Sequence, residues 1–508
     1  MTTARPDHPP MALSTCDLPS ADEPLVHPCE DCACAVSEQA GTAAFSVLPA
    51  EIPGDERRWV SGAQVLDIAV DPEHTLLFNP LGPGGVVVVN QSGLRLFRSF
   101  RRPVTLAELR RAWPGEASQV TSVLSRLRHA QVVHEPGLSP RPEFGGSQVL
   151  TAWLHVTNAC NLRCPYCYLT KSAEGMDEAT GRAAVDAVVR SAVAHGLPAV
   201  KLKYAGGEAS LDHRLVLRLH EYARQVTADH GVVLYATLLT NGVRLAPDLA
   251  DAVAAGDIRV MISLDGVGEQ HDAQRPFASG KPSFHLVERT VADLIRRGCR
   301  PHLSITITKR NASGLAGAVR FALDNGLTFS LNFFRDNDCA ASFADLRYEE
   351  QEMISALLGA FGVIEERLPR WSVLGSILDR GQLLSPRQRS CGVGQDYVVI
   401  DQRGQVAKCH MEIERTLGDV FRSDPLQLIR TDTSTALNLA VDEKEGCRDC
   451  SWRYWCSGGC SVATFRATGR YDIKSPNCQI YKAIYPEALR LEGLRLLKYA
   501  DPAAAVPQ

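Results

Sequence analysis

Between residues 149 and 368 the chain repeats one rhythm six times. A short run rich in Val, Ile and Leu is followed by a stretch whose apolar residues recur at three and four positions. The strand runs read QVLTAWLHV, AVKLKYAGGE, VVLYATLLTNG, IRVMISLDG, RPHLSITIT and TFSLNFF. The helical stretches read DEATGRAAVDAVVRSAVAHG, HRLVLRLHEYARQV, APDLADAVAAG, FHLVERTVADLIRRG, AGAVRFALDNG and YEEQEMISALLGAFGVIEERL. In the first helix Val185, Val188, Val189, Ala192 and Val193 share a face, and Gly196 stops it. This alternation predicts an α/β fold with a parallel sheet and right-handed crossovers. Eight units close a full barrel. Six predict a partial (β/α)6 barrel, open on a side where a large substrate can enter. Chemistry in such folds sits at the C-terminal ends of the strands. CNLRCPYCY (160–168), GGE (206–208), TNG (240–242) and SLDG (263–266) all fall there.

The 16 cysteines are grouped: four in 16–34, three in 160–167, seven in 391–478, with Cys299 and Cys339 outside. The chain is 45% hydrophobic and 22% charged with a formal charge of −4, an ordinary globular balance that does not suggest nucleic-acid binding. No run of 18 apolar residues offers a membrane span, and the N-terminus lacks the apolar core of a signal peptide. The expected location is therefore the cytoplasm, where thiols serve metal or redox chemistry more often than disulfides. Cys160, Cys164 and Cys167 lie at spacings that reach one small metal centre. Two readings are open on spacing alone. A zinc knuckle would borrow His155 or a distant ligand. A [4Fe–4S] cube would keep one iron without a protein ligand.

CxxxCxxC after the first strand of a partial βα barrel, with Tyr166 before the last cysteine, resembles the radical SAM superfamily. GGE after strand two and SLDG at strand four fit the same pattern. The resemblance implies that Cys160, Cys164 and Cys167 hold a [4Fe–4S] cluster whose open iron chelates S-adenosylmethionine (SAM). It implies reductive cleavage to a 5′-deoxyadenosyl radical, which abstracts hydrogen from substrate; the hard chemistry is the cofactor's. It further implies that Tyr166 lines the adenine and that Gly206, Gly207 and Glu208 meet the methionyl amino group. Glycine there would let backbone approach a ligand closely. Ser263 would sit near the ribose, and Arg275 would grip the SAM carboxylate. Asn241 reads as a turn residue and Asp265 as a loop cap or a ligand.

Cys391, Gly404 and Cys409, followed by Cys447-x2-Cys450-x5-Cys456-x3-Cys460 and Cys478, resemble the SPASM extension of peptide- and protein-modifying radical SAM enzymes. The alternative is a treble-clef zinc site. The resemblance implies two auxiliary [4Fe–4S] clusters, with Cys391, Cys409 and Cys460 on the nearer and Cys447, Cys450, Cys456 and Cys478 on the distal one. No eighth cysteine precedes Cys391, so the nearer cluster would keep an open iron, with Cys339 a remote candidate ligand. His410 stands where sulfatase-activating relatives carry an aspartate base; it reads either as a base near neutral pKa or as a packed histidine. Cys16, Cys29, Cys32 and Cys34 offer a further thiol set of open role.

LLFNP, TLAEL and LSRLRHAQVV within residues 64–137 resemble a PqqD-like RiPP recognition element, a winged-helix-like module that adds a precursor's leader to its sheet; the alternatives are a DNA-binding winged helix and a purely packing domain. The expected layout is a disordered segment at 1–55, the recognition module at 56–140, the barrel at 149–372, a linker at 373–390, the SPASM region at 391–485 and a tail at 486–508. The expected function is radical modification of a ribosomal precursor peptide, most simply a carbon–carbon or thioether cross-link, with flavodoxin or ferredoxin as reductant. The alternatives are maturation of a folded protein, peptide epimerisation, or a non-catalytic metal-binding module.

Overall fold

The computed structural model describes residues 8–14, 54–138, 142, 144–375 and 378–500. Cys16, Cys29, Cys32 and Cys34 lie outside the described residues.

The first part of the chain builds an antiparallel sheet from β1 (Ala12–Ser14), β3 (Leu66–Ala69), β4 (His74–Phe78) and β5 (Val86–Asn90), in the order β1-β5-β4-β3. β2 (Arg58–Ser61) pairs separately with β6 (Val104–Thr105) and β7 (Val133–His134). Three helices follow β5: Gln91–Ser99, Leu106–Ala112 and Ala117–His129. Asn90 caps the first by accepting from Gly93 N, and Thr105 with Glu108 forms a capping box on the second. Val87 and Val89 pack into the core of these helices with Leu94, Leu96 and Phe100. Val86 and Val88, on the opposite face of β5, join the main core of the molecule. A strand buried on both faces reads VVVV rather than alternating.

β1 corrects one expectation. Residues 1–55 show no strand period, yet Ala12, Leu13 and Ser14 pair antiparallel with Val89, Val88 and Val87. Three residues are too short for a period; only the partner edge defines this strand.

The large sheet contains β8 (Val149–Thr157), β9 (Ala199–Gly206), β10 (Val233–Thr240), β11 (Arg259–Ser263), β12 (His302–Ile307) and β13 (Phe329–Phe333), parallel and in sequential order. The expected six units are all present. β8 does not end the sheet: β14 (Tyr397–Ile400) pairs parallel with it, and β15 (Gln405–Ala407) and β16 (Gly418–Asp419) continue antiparallel. The second cysteine block is thus built onto the edge of the same sheet as the first.

Two expected boundaries fail. Residues 486–499 are no tail but belong to the helix Cys478–Tyr499, which runs through Pro486 and buries Leu489, Leu491 and Leu496. Proline breaks helices by removing one hydrogen bond and crowding the preceding turn. Here packing against Glu350–Glu366 and the first sheet holds the helix together. Nor are the described residues of 373–390 an exposed linker. Leu378, Asp379 and Leu383 are buried, and Asp379 N donates to Leu331 O at 2.6 Å.

Trp455 ties the C-terminal region to the first module. It is fully buried, lies 4.9 Å from Phe78 and donates from Nε1 to Pro80 O at 2.8 Å. Trp455→Ala should lower stability by about 3–5 kcal/mol, read as an earlier urea midpoint. A loss under about 1 kcal/mol would show that the two parts do not depend on this contact.

Candidate active site

The loop after β8 is stitched to its surroundings before any thiol is considered. Arg163 N donates to Pro276 O at 2.9 Å, Ala278 N to Asn161 O at 3.0 Å, and Leu162 is fully buried. Cys160, Cys164 and Cys167 lie on this frame. Burial raises the Cys160 thiol and pushes Cys164 up to about 12, with the negative charges of Cys167, Asp265 and Cys160 adding to the effect on Cys164. Such thiols need a cation to become thiolates. Lys171 supplies one, with Nζ 3.0 Å from Cys167 Sγ. His155 does not join them. It is buried, its Nε2 meets Asn158 Oδ1 at 2.7 Å, and burial lowers its pKa to about 4.

Gly206 and Gly207 close the end of β9 against this loop. A Cβ on Gly207 would stand 2.4 Å from Ala159 O and 2.6 Å from Asn158 O; one on Gly206 would stand 2.4 Å from Thr157 O. The close approach that requires glycine is therefore made by the chain's own backbone. Gly207 N donates to Thr157 O at 2.6 Å and Glu208 N to Ala159 O at 2.8 Å. The Glu208 carboxylate is buried and accepts from Ser210 N, Thr240 Oγ1 and Asn241 N at 3.0, 2.7 and 2.6 Å. It ties β9 to β10. Gly207→Ala should force the cysteine loop away from β9 and destabilise the chain by about 1–3 kcal/mol. Thermal melting and cluster absorbance should fall together; a variant with an unchanged melt and unchanged absorbance would contradict this packing.

Asn241, read as a turn residue, does more. Its Nδ2 donates to Asn161 Oδ1 at 2.7 Å and stands 4.0 Å from Cys160 Sγ. Arg275 and Asp265 are buried and form a triad with half-buried Tyr166. Tyr166 OH donates to Asp265 Oδ2, Arg275 Nη1 donates to Tyr166 OH, and Arg275 Nη1 lies 3.4 Å from Asp265 Oδ2. Thr306 N donates to Asp265 Oδ1 at 2.8 Å. Burial opposes the Arg275 charge, but Cys164, Tyr166 and Asp265 outweigh it and hold the guanidinium protonated beyond its usual range. Among the described residues no partner meets Arg275 Nε or the side-chain amide of Gln274. Ser263 ends β11, in register with Ser304.

The second block forms two sets. Cys391, Cys409 and Cys460 line a cavity with Arg380, Tyr397 and His410. Burial pushes Cys409 up to about 12, reinforced by Cys460 and Cys391. Cys460 goes the other way: burial raises it, but the charges of Arg335 and Arg380 outweigh that. Arg335 Nε lies 3.2 Å from Cys460 Sγ, and its Nη2 donates to Asp379 Oδ1 at 2.6 Å. No local motif marks Arg335; its position just past β13 was the only signal. Cys447, Cys450, Cys456 and Cys478 form the other set. Burial raises Cys447 to about 11 and Cys456 to about 12, and both feel the charges of the remaining thiols. Cys339 is exposed, 3.4 Å from Tyr168 O, and does not line the cavity. Among the described residues no group of three or more His, Cys, Asp or Glu is arranged to hold a single metal ion.

His410 stacks on Trp153 at 4.8 Å, and its Nδ1 stands 3.0 Å from Tyr397 OH. Burial, then the charges of Arg380, Arg335 and Lys203, hold its pKa well below the usual value. Of the two readings of His410, base or packed histidine, these contacts favour the packed one.

The model of the Radical SAM superfamily matches residues 154–318, which span the thiol loop, GGE and the Asp265–Arg275 pair. The chain carries a radical SAM domain. It is a radical SAM enzyme, and the chemistry of that superfamily uses SAM and a [4Fe–4S] cluster. The donor set fits both groups: three gathered thiols, a cationic Lys171, and the unpartnered Nε of buried Arg275. Over 352 residues the chain is 27% identical to the mycofactocin maturase MftC of Mycobacterium tuberculosis, covering 68% of this chain and 86% of that protein. It is 24% identical over 267 residues to the sporulation killing factor maturation protein SkfB of Bacillus subtilis, covering 48% and 62%. The solved structure of native anSMEcpe with bound AdoMet and Cp18Cys peptide matches with a TM-score of 0.57 at 19% identity, over 68% of this chain and 99% of that one. That likeness speaks for the fold.

Proposed function

We propose that this radical SAM enzyme is a SPASM-type maturase of a ribosomally synthesised precursor peptide. One observation carries the reading. Tyr168, beside Cys167, meets His410, beside Cys409, with ring centroids 5.4 Å apart. The radical loop and the Cys391/Cys409/Cys460 cavity therefore adjoin, and one substrate segment can reach both. The names of MftC and SkfB, both maturation proteins, support the same class.

Cys160, Cys164 and Cys167 would hold the SAM-binding cluster. Cys391, Cys409 and Cys460 would hold a nearer auxiliary cluster, and Cys447, Cys450, Cys456 and Cys478 a distal one. When bound, these groups supply the 5′-deoxyadenosyl radical and, beside the cavity, an acceptor for the electron an oxidised substrate releases. The chain's own residues orient and exclude. Asp265 aligns the Tyr166 ring, and Arg275 Nε addresses a carboxylate. A methionyl ammonium only donates, so acceptors would meet it there, not the amides of Gly207 and Glu208, which donate within the chain. Residues 56–140 would bind the leader, flavodoxin or ferredoxin would supply electrons, and the setting would be the cytoplasm. Among the described residues no helix is long and apolar enough to cross a membrane.

Co-expression with short open reading frames beside the gene, followed by intact mass, tests this. Loss of two hydrogens, absent with Cys164→Ala, is the result expected of a cross-link. Unchanged mass with solvent deuterium incorporated into the peptide would make the enzyme an epimerase. Neither signal on any peptide would overturn the precursor reading in favour of a folded-protein substrate.

A further inference from the structure

The first sheet has two edges, and the chain covers one of them with its own N-terminal segment. β1 lies on β5, and Ala12, Leu13 and Ser14 are all buried. Ala12 enters the core of the module with Val87 and Val89, while Leu13 stands opposite Val88. The strand lies between the helix Ala117–His129 and the helix Cys478–Tyr499. Side chains of β5 and the helix after it hold its backbone. Asn90 Oδ1 accepts from Met11 N at 3.0 Å and Asn90 Nδ2 donates to Pro9 O at 2.8 Å. Ser92 Oγ donates to His8 O at 2.7 Å. Gly93 leaves the room: a Cβ there would stand 2.5 Å from Met11 O.

An uncovered strand edge is a template for any extended chain, and backbone pairing tolerates many sequences. Once free of β1, the β5 edge is such a template, with a backbone clamp at Asn90 and buried positions for the side chains at 12 and 13. We propose that the segment 9–14 is a built-in competitor for the strand position on which an extended segment of the substrate peptide adds. The inference rests on the peptide-substrate reading above and adds a self-occupied resting state. Because the segment is covalently attached, it competes at an effective concentration independent of enzyme concentration. The apparent affinity of an incoming peptide is then reduced by the fraction of chains whose edge is free. A peptide with a small residue followed by a larger apolar one, antiparallel to β5, fits best.

A fluorescein-labelled heptapeptide with the sequence of residues 8–14 reads the edge without any precursor. By anisotropy it should bind full-length Leu13→Asp at least about tenfold more tightly than the wild type, because the charged strand leaves the apolar site. Equal affinity for the two chains overturns the inference. Should Leu13→Asp fail to fold, a full-length chain with a protease site inserted between residues 30 and 31 replaces it. Cleavage should let the probe exchange in; continued exclusion of the probe after cleavage overturns the inference. Gly93→Ala added to Leu13→Asp should abolish binding, and retained binding would put the probe elsewhere and also overturn it. Failure of the peptide-substrate reading looks different: the probe exchanges as expected, but no encoded peptide competes with it or is modified.

Discussion

Cys164→Ala is expected to leave SAM uncleaved: 5′-deoxyadenosine should fall to the level of a reaction without enzyme, and the iron proposed for this loop should be lost while that proposed for the other thiol sets remains. Cys164 is the central thiol of the loop and the one burial pushes furthest, up to about 12. A thiol so placed ligates only as a thiolate, and metal binding is what deprotonates it. Arg275 opposes the burial penalty on Cys164 but does not cancel it. Alanine removes the ligand and leaves the neighbouring frame, pinned at Arg163 N and Ala278 N, in place. Anaerobic reconstitution, iron assay and chromatography of 5′-deoxyadenosine measure the outcome. Cleavage within about tenfold of wild type would mean that the loop is not the site of SAM cleavage.

Asp265→Ala is expected to cost about 3–5 kcal/mol of stability and to raise the KM for SAM. The Asp265 side chain is fully buried, and its partner Arg275 is 10% exposed. A buried pair is weak evidence of net stabilisation, but removing one member leaves the other charge buried and uncompensated. The loss extends to Tyr166, which donates to the same carboxylate, and to Thr306 N. Asp265→Asn keeps the volume and an acceptor for Thr306 N, so it should fall between wild type and alanine in stability while still loosening Arg275. Urea unfolding at unchanged m-value, with KM and kcat for SAM cleavage, separates the two effects. Alanine stability within about 1 kcal/mol of wild type would show that Arg275 does not depend on Asp265.

Arg275 also shows where sequence reading ran short. Its residue type suggested a carboxylate fork, and only the fold reveals that one arm is committed to Tyr166 and Asp265, ten and more residues away in sequence. Asn241 and Asp265 stand at the right strand ends, but Asn241 reads as a turn residue and Asp265 as a loop cap or a ligand, because Asn and Asp serve turns so often. The turn role is real for Asn241, whose Oδ1 accepts from Val243 N at 3.0 Å. Its other end reaches Asn161, which no local pattern can report. The two readings of His410 stay open in the sequence for a related reason. Its basicity depends on burial against Trp153 and on Arg380 and Arg335, charges brought together only by folding.

What the sequence by itself determined is the local and periodic part of this protein. Strand–helix alternation imposed six parallel strands, since each apolar run and each amphipathic face must be buried against its neighbours. Cysteine spacing determined which thiols share a loop. The tertiary structure decided whatever depends on two distant segments meeting. It placed β14 on the edge of β8, so both thiol blocks share one sheet. It carried the C-terminal helix through Pro486 by packing both ends. It seated Ala12–Ser14 on β5, a pairing three residues cannot announce. It assigned Gly206 and Gly207 to the chain's own backbone, because contact distance, unlike periodicity, is written in neither segment alone.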